Sequence, residues 1–495
     1  MKKSYFKLAA YGLIALLLLP ASMWAMKGTI SEIPVSTKSK TAMESFRQGL
    51  MSMDQNDNQK ARTFFMKAID ADPNLAIAYL YKSGTDLTPK EFAMDIQKAK
   101  EHLNGASEWE RLYFDYASTF LTSDWNKRLN VGTELVKKYP DAARPQVELG
   151  FTYVNGNMTN KARACFEKAK QLDPNWIGGY TAMVNTYLFF EPKDFKKAEE
   201  NALKAVQLAP SSPGARIALG DCYRAEKQLA KAKDAYSKAI DLDPAEPDAY
   251  YKKGNANIFM DNYEEARQNF KDASRYDPSP TGAIPFIAYT YLYEGDPKSA
   301  MYYYQYAISK LPATDNEMGK INLAKLVYLQ DCASIASFNG DATELKELLE
   351  EIVPVSEQIG NDIGTQEAKL TQKASVLSLE AMLAALEEKY DLAKSKAEQM
   401  KTTLATVTDP LKLDGYEFVL GFINMHQNSI PDAIEHFKNT LQTSVYNKYW
   451  LAKAYEAGGM TDNARALYKD LADYNFNSIE YALIRNDVRK KASSL

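Results

Sequence analysis

Histidine is nearly missing from this 495-residue chain. His102, His426 and His436 are the whole set, too few for a multi-histidine metal site or proton relay. Glycine, at 23 residues, is too sparse for a chain dominated by phosphate-cradling loops or tight hairpins. Cysteine is scarce too: Cys165, Cys222 and Cys332 are odd in number, far apart, and each lies in a helical apolar pattern. They read as small buried hydrophobes, with a reactive thiol as the alternative, and not as a disulfide framework. Positive charge is not in excess, since 60 Lys and Arg face 64 Asp and Glu for a net charge of -4, so nucleic acid is a poor partner. Glycine-rich phosphate loops, paired histidine ligands and nucleophile elbows are missing as well. The expectation is a protein that is not an enzyme and needs no cofactor or metal.

One apolar run stands apart. Leu8 to Leu19 follows Lys2, Lys3 and Lys7 and is closed by Pro20. It is shorter than the roughly 20 apolar residues of a membrane span. Residues 1–25 match an export signal that ends at Ala25, although Met23 is larger than the residue usually preferred there. An uncleaved N-terminal anchor is the alternative, and no nearby cysteine offers a lipid anchor. Loss of the three lysines takes the net charge from -4 to -7. No membrane span is expected after signal removal, and residues 26–40 read as a flexible linker.

What the chain has in abundance is a period. Pro140, Pro174, Pro210, Pro244, Pro278 and Pro312 are spaced by 34, 36, 34, 34 and 34 residues. Between them the same sizes recur: Gly150, Tyr153, Ala162, Phe166, Ala169; Gly220, Tyr223, Ala232, Tyr236, Ala239; Gly254, Ala266, Phe270, Ala273; Ala288, Tyr291, Ala300, Tyr304, Ala307. Small residues let two helix backbones approach, aromatics fill the remaining space, and proline ends the second helix. One such hairpin cannot bury its own apolar face, so units must stack.

This pattern resembles the tetratricopeptide repeat, a helix–turn–helix unit of 34 residues. The match is strong over 141–312, as five tandem units; the second has a longer turn around Glu191-Pro192-Lys193 and Ala202 in place of its aromatic. An earlier unit runs through Gly49, Ala61, Phe65, Ala68 and Pro73, and residues 41–140 read as that unit plus divergent hairpins. Residues 313–495 read as degenerate hairpins and a C-terminal capping helix near Ser478 to Lys491. The chain is similar to uncharacterised exported bacterial proteins of this kind. The resemblance implies an all-α, right-handed superhelical solenoid, in the bacterial periplasm or else secreted or signal-anchored.

It also implies where a ligand sits. The first helix of each unit lines the concave wall, and the positions just after the small residue are Phe151, Asn185, Asp221, Asn255 and Tyr289. A turn before or after on the same face lie Tyr251 and Arg224, with Phe189, Phe259 and Tyr293 adjacent. Those ten residues form the candidate groove for a protein or peptide ligand, with helix packing as the competing role for each. Repeats that clamp a C-terminal carboxylate carry lysine three residues before the glycine and asparagine after it; Gly254-Asn255 fits half, but Tyr251 and Tyr289 break the pattern. An envelope glycan-binding protein is the alternative function. The acidic stretch Glu344, Glu347, Glu350, Glu351 reads as a solvated helix face, and Tyr302-Tyr303-Tyr304-Gln305-Tyr306 as packing.

Overall fold

Each hairpin closes on its recurrent glycine. A Cβ built on Gly150, Gly220 or Gly254 would stand 2.3–2.4 Å from the ring of Phe166, Tyr236 or Phe270, so only glycine lets the second helix press its aromatic against the first. The facing alanines Ala162, Ala232 and Ala266 are fully buried, as close helix packing requires. Tyrosine latches mark the unit ends: the hydroxyls of Tyr79, Tyr180 and Tyr250 donate to the carbonyls of Pro73, Pro174 and Pro244 at 3.0–3.2 Å. In four of the five regular units the turn between the two helices takes a left-handed residue, Asn157, Lys227, Asp261 or Gly295; the second unit, with its longer turn at 190–194, has none.

The computed structural model describes residues 34–315 and 318–494; the segment 1–25 read as an export signal lies outside the described residues. The described residues hold twenty-five helices and no strand. The first six are α1 Lys40–Asp54, α2 Asn58–Ala71, α3 Ala76–Ser83, α4 Pro89–Glu101, α5 Glu108–Thr122 and α6 Trp125–Lys138. The regular array follows as α7 Ala143–Asn155, α8 Thr159–Leu172, α9 Ile177–Phe189, α10 Phe195–Leu208, α11 Pro213–Ala225, α12 Leu229–Leu242, α13 Pro247–Phe259, α14 Tyr263–Ala273, α15 Ile284–Tyr293 and α16 Pro297–Lys310. Then come α17 Lys320–Asn339, α18 Ala342–Ile363, α19 Gln366–Leu386, α20 Tyr390–Thr403, α21 Asp414–His426, α22 Ile430–Asn439, α23 Val445–Ala457, α24 Thr461–Ala472 and α25 Ile479–Ser494. This is the all-α repeat solenoid that the spacing predicts.

Consecutive helices pair into twelve antiparallel hairpins, and α25 is left over. The superhelix winds tightly. The second hairpin touches the ninth through α4 and α18, and the third touches the tenth through α5 and α19, so one turn takes seven hairpins. Thr88 Oγ1 donates to the Met318 carbonyl at 2.6 Å, Thr365 Oγ1 to that of Leu121 at 2.7 Å, and Lys90 pairs with Asp362 at 3.4 Å. Across the inner space the turn of the first hairpin meets the sixth. Ser212 Oγ donates to the Gln55 carbonyl at 3.4 Å, and Gly214 packs so close that a Cβ would sit 2.1 Å from that oxygen.

Two stretches differ from the sequence reading. Residues 34–39 belong to the stretch read as a flexible linker, yet they are tied down: Ser36 N donates to Glu110 at 3.3 Å, Thr37 Oγ1 to Asp72 at 2.5 Å, and Ser107 Oγ to the Pro34 carbonyl at 2.8 Å. Buried Glu110 takes donors from the Ser36 amide and hydroxyl and from the Ser107 amide, which helps to hold this segment. The C-terminal helix covers the last hairpin, packing on α23 and α24, but it also reaches inward to α15 and α17. Burial keeps all three cysteines inside the array and pushes the Cys165 thiol up to about 11, which suits packing and not reactivity. In the tyrosine run, Tyr304 is fully buried while Tyr302 and Tyr306 are exposed.

Candidate binding groove

The inner wall is built from the first helix of each hairpin, as the repeat requires, but it has two distinct stretches. On α7, α9, α11 and α13 it opens into a chamber of about 390 Å³ whose far side is the turn after α1. Phe151 and Asn185 stand exposed in it, and Asp221 lies at its edge, 7% exposed. Val147, Thr181 and Ile217, one turn earlier on the same helices, complete the register.

Charge in the chamber is arranged in pairs with a remainder. Buried Arg144 donates from Nη2 to both oxygens of Asp54 at 2.8 and 3.0 Å and lies over the Trp176 ring at 5.1 Å. Asp221 collects Lys252 at 3.0 Å, Arg224 at 2.9 Å and the Tyr236 hydroxyl at 2.8 Å. Glu148 and Asp248 are the remainder: among the described residues neither has an ion-pair partner within 4 Å. Glu148 accepts a 3.3 Å hydrogen bond from the Tyr113 hydroxyl. Desolvation, only partly offset by Arg144, pushes the Glu148 carboxyl up to about 7. Desolvation likewise raises Asp248, against the pull of Lys252.

Further along, the wall is covered by the chain itself. Residues 473–478 and α25 lie against it. Phe476 packs on Phe189 at 4.6 Å between ring centres and under the Arg224 guanidinium at 4.5 Å. Asn477 bridges two helices: its amide nitrogen donates to Asn255 Oδ1 at 2.9 Å, and its oxygen accepts from the Tyr293 hydroxyl at 2.9 Å. Arg485, 2% exposed, sits over Phe259 at 5.4 Å and Tyr293 at 5.2 Å and reaches Asp261 at 3.0 Å. Asn486 donates to the carbonyl of Tyr293 at 3.2 Å.

The ten candidate positions therefore separate. Phe151, Asn185 and Asp221 meet in the chamber. Phe189, Arg224, Asn255, Phe259 and Tyr293 face the C-terminal segment. Tyr251 and Tyr289 are bound within the repeats: the Tyr251 hydroxyl donates to Asp277 at 2.6 Å and its ring stacks on Phe286, while Tyr289 donates to Asp331 at 3.2 Å. Arg144, Glu148, Trp176, Asp248 and Lys252 belong to the chamber and were not among the candidates. The signal was in the register: Arg144, Gly178, Gly214 and Asp248 repeat at 34, 36 and 34 residues, one turn before Val147, Thr181, Ile217 and Tyr251. Gly178 in that series leaves the space that the Trp176 ring occupies.

Known families agree with the spacing. A family model described as TPR repeat matches residues 220–258, and models described as Tetratricopeptide repeat match 41–75, 143–175, 247–280 and 446–475. Among solved structures, MamA from Desulfovibrio magneticus RS-1 is 23% identical over 34% of this chain and 93% of its own, at a TM-score of 0.29. A thermophilic TPR protein of Thermus thermophilus is 18% identical over 44% of this chain and 99% of its own, at 0.28. A tetratricopeptide repeat protein from Parabacteroides merdae is 11% identical over 58% of this chain and 99% of its own, at 0.34. The comparison with curated proteins finds no match.

Proposed function

The chain is a tetratricopeptide-repeat protein, and from that premise we propose that it is a non-enzymatic scaffold, exported to a bacterial periplasm, that binds a protein or peptide partner in the open stretch of its inner wall. Proteins of this repeat generally hold other proteins and do not catalyse. One observation carries the reading to a place: Phe151 and Asn185 remain exposed on a concave wall whose other end is already covered by residues 473–494. An extended peptide there meets apolar surface from Phe151, Val147 and Ile217, and the Asn185 amide can both donate to and accept from its backbone.

A random dodecapeptide library passed over the immobilised chain tests this. Bound peptides should slow hydrogen exchange in 144–155 and 177–189, and the double variant Phe151→Ala/Asn185→Ala should lose capture while its melting temperature holds. Unchanged capture by the variant overturns the placement. Export rests on Lys2, Lys3, Lys7 and the run Leu8 to Leu19. Mass spectrometry of the envelope fraction should find a chain beginning at Met26, and a cytoplasmic chain retaining Lys2 and Lys3 would refute it.

A further inference from the structure

The chamber has a chemical preference. Its lining carries four carboxylates, Asp54, Glu148, Asp221 and Asp248, against two cations, Arg144 and Lys252. Both cations are already engaged, Arg144 by Asp54 and Lys252 by Asp221. Two half-buried carboxyls are left facing a space of about 390 Å³, within the volume range of ligand pockets, with the Trp176 and Phe151 rings on its wall. A second observation points the same way. Arg144 and Trp176, each more than nine-tenths buried, line the chamber, and the Arg144 Nε and Trp176 Nε1 donors find no acceptor among the described residues. A buried donor left unpaired is costly, so a ligand that brings a carbonyl oxygen relieves it.

We propose that this chamber is a site for a cationic group of the bound partner, an ammonium or guanidinium that pairs with one of its two unpaired carboxylates, Glu148 or Asp248, and lies along aromatic surface. The inference rests on the peptide-binding reading above and deepens it. A peptide brings both parts at once: its positive group meets a carboxylate, and its backbone offers carbonyl oxygens toward which the Arg144 and Trp176 side chains can turn. Desolvated cation–carboxylate contacts gain strength from the low local dielectric, and an aromatic face adds cation–π attraction. The positive group can come from a lysine or arginine side chain or from a free N-terminus.

Two dodecapeptide libraries separate these sources, one with both termini blocked and one with only the C-terminus blocked. The expected result is at least tenfold enrichment of lysine or arginine in the blocked library, or a tenfold preference for free N-termini in the second. In either case the preference should vanish in Glu148→Gln/Asp248→Asn. Those replacements are close in shape and remove unpaired charge, so the fold should hold, as melting will check. Thr181→Arg, which supplies the chamber with a guanidinium of its own, should abolish the same preference. Peptide binding with no bias toward positive groups overturns this inference and leaves the scaffold reading standing. A bias that survives the double variant overturns it as well. No binding of either library ends both.

Discussion

Asn185 and Asn255 hold the same place in the repeat on the first helix, two units apart. Asn185 is exposed in the chamber, whereas Asn255 is 7% exposed and accepts a hydrogen bond from Asn477. The same split runs through Phe189 and Phe259 on one side and Phe151 on the other: the first two touch residues near the C-terminus, the last stays open. Repeat register fixes which way a side chain points along the inner wall. It does not fix what lies opposite. Opposite the chamber residues of α7 and α9 is the turn after α1, which leaves a gap; against α13 and α15 lie the 473–478 stretch and α25, which cover the wall.

The comparison breaks most easily at the covered end. Ile484 on α25 is fully buried among α15, α17 and α23 residues. Ile484→Ala should cost about 2–5 kcal/mol in urea denaturation, the range for a buried isoleucine cut to alanine. Because repeat arrays are coupled mainly to near neighbours, hydrogen exchange should quicken in α15, α17 and α23 and stay nearly unchanged in α7 and α9. Equal loosening at both ends would mean that the covered and open stretches are one cooperative unit.

A second pair of substitutions sharpens the contrast by touching something both ends share. Gly150→Ala and Gly254→Ala each drive a methyl into a ring, Phe166 or Phe270, at 2.3 Å. Each should cost about 1–3 kcal/mol, the usual size of overpacking. Near-equal losses by thermal denaturation place the difference between the stretches on the inner wall and not inside the hairpins.

How far the chain could be read in advance follows from this division. The glycine–aromatic–alanine–proline spacing names contacts inside a hairpin and between adjacent ones, and those contacts are present wherever the motif is. It carries no information about hairpins seven apart, so the pairing of α4 with α18 and of α5 with α19 was out of reach. The C-terminal strap was out of reach for the same reason: Phe476 and Asn477 look like turn residues until Arg224, Phe189, Asn255 and Tyr293 are placed around them. Arg144 and Asp248 were legible, since they share the repeat period, but a charged residue in the first turn of a helix resembles an ordinary solvated one. Their enclosure comes from the turn after α1, which no local pattern reveals.

Titration offers a smaller effect confined to the open stretch. Glu148, normally near 4.5, is raised to about 7 in the folded chain, mainly by desolvation. The folded state then binds more protons than the unfolded state between those values, so stability falls as pH rises through that window and the full penalty applies above it. Glu246, raised to about 7, and Asp331, raised to about 6 at the covered end, add slopes of the same sign, so the difference between wild type and variant is the measurement. Glu148→Gln should gain about 1–2 kcal/mol at pH 8 and almost nothing at pH 4, after allowance for water in the chamber. No gain at pH 8 would mean that Glu148 is solvated as an ordinary surface carboxylate and that the open stretch holds no stored charge.

The smallest effect is the most direct comparison of all, because it uses one residue type in one register. Asn255→Ala removes the acceptor of Asn477, and the Tyr293–Asn477 bond loses its neighbour; a buried donor left unpaired costs about 1–2 kcal/mol. Asn185→Ala removes an exposed amide that makes no hydrogen bond within the described residues, and substitutions of that kind stay within about 0.5 kcal/mol. Chemical denaturation resolves the two. Binding should reverse the order, since Asn185 contributes to a ligand what it withholds from the fold, and Asn255 has already committed its amide to the chain. An Asn185→Ala variant that loses stability but not peptide would place a hidden partner across the chamber and close the gap on which the difference between the two stretches depends.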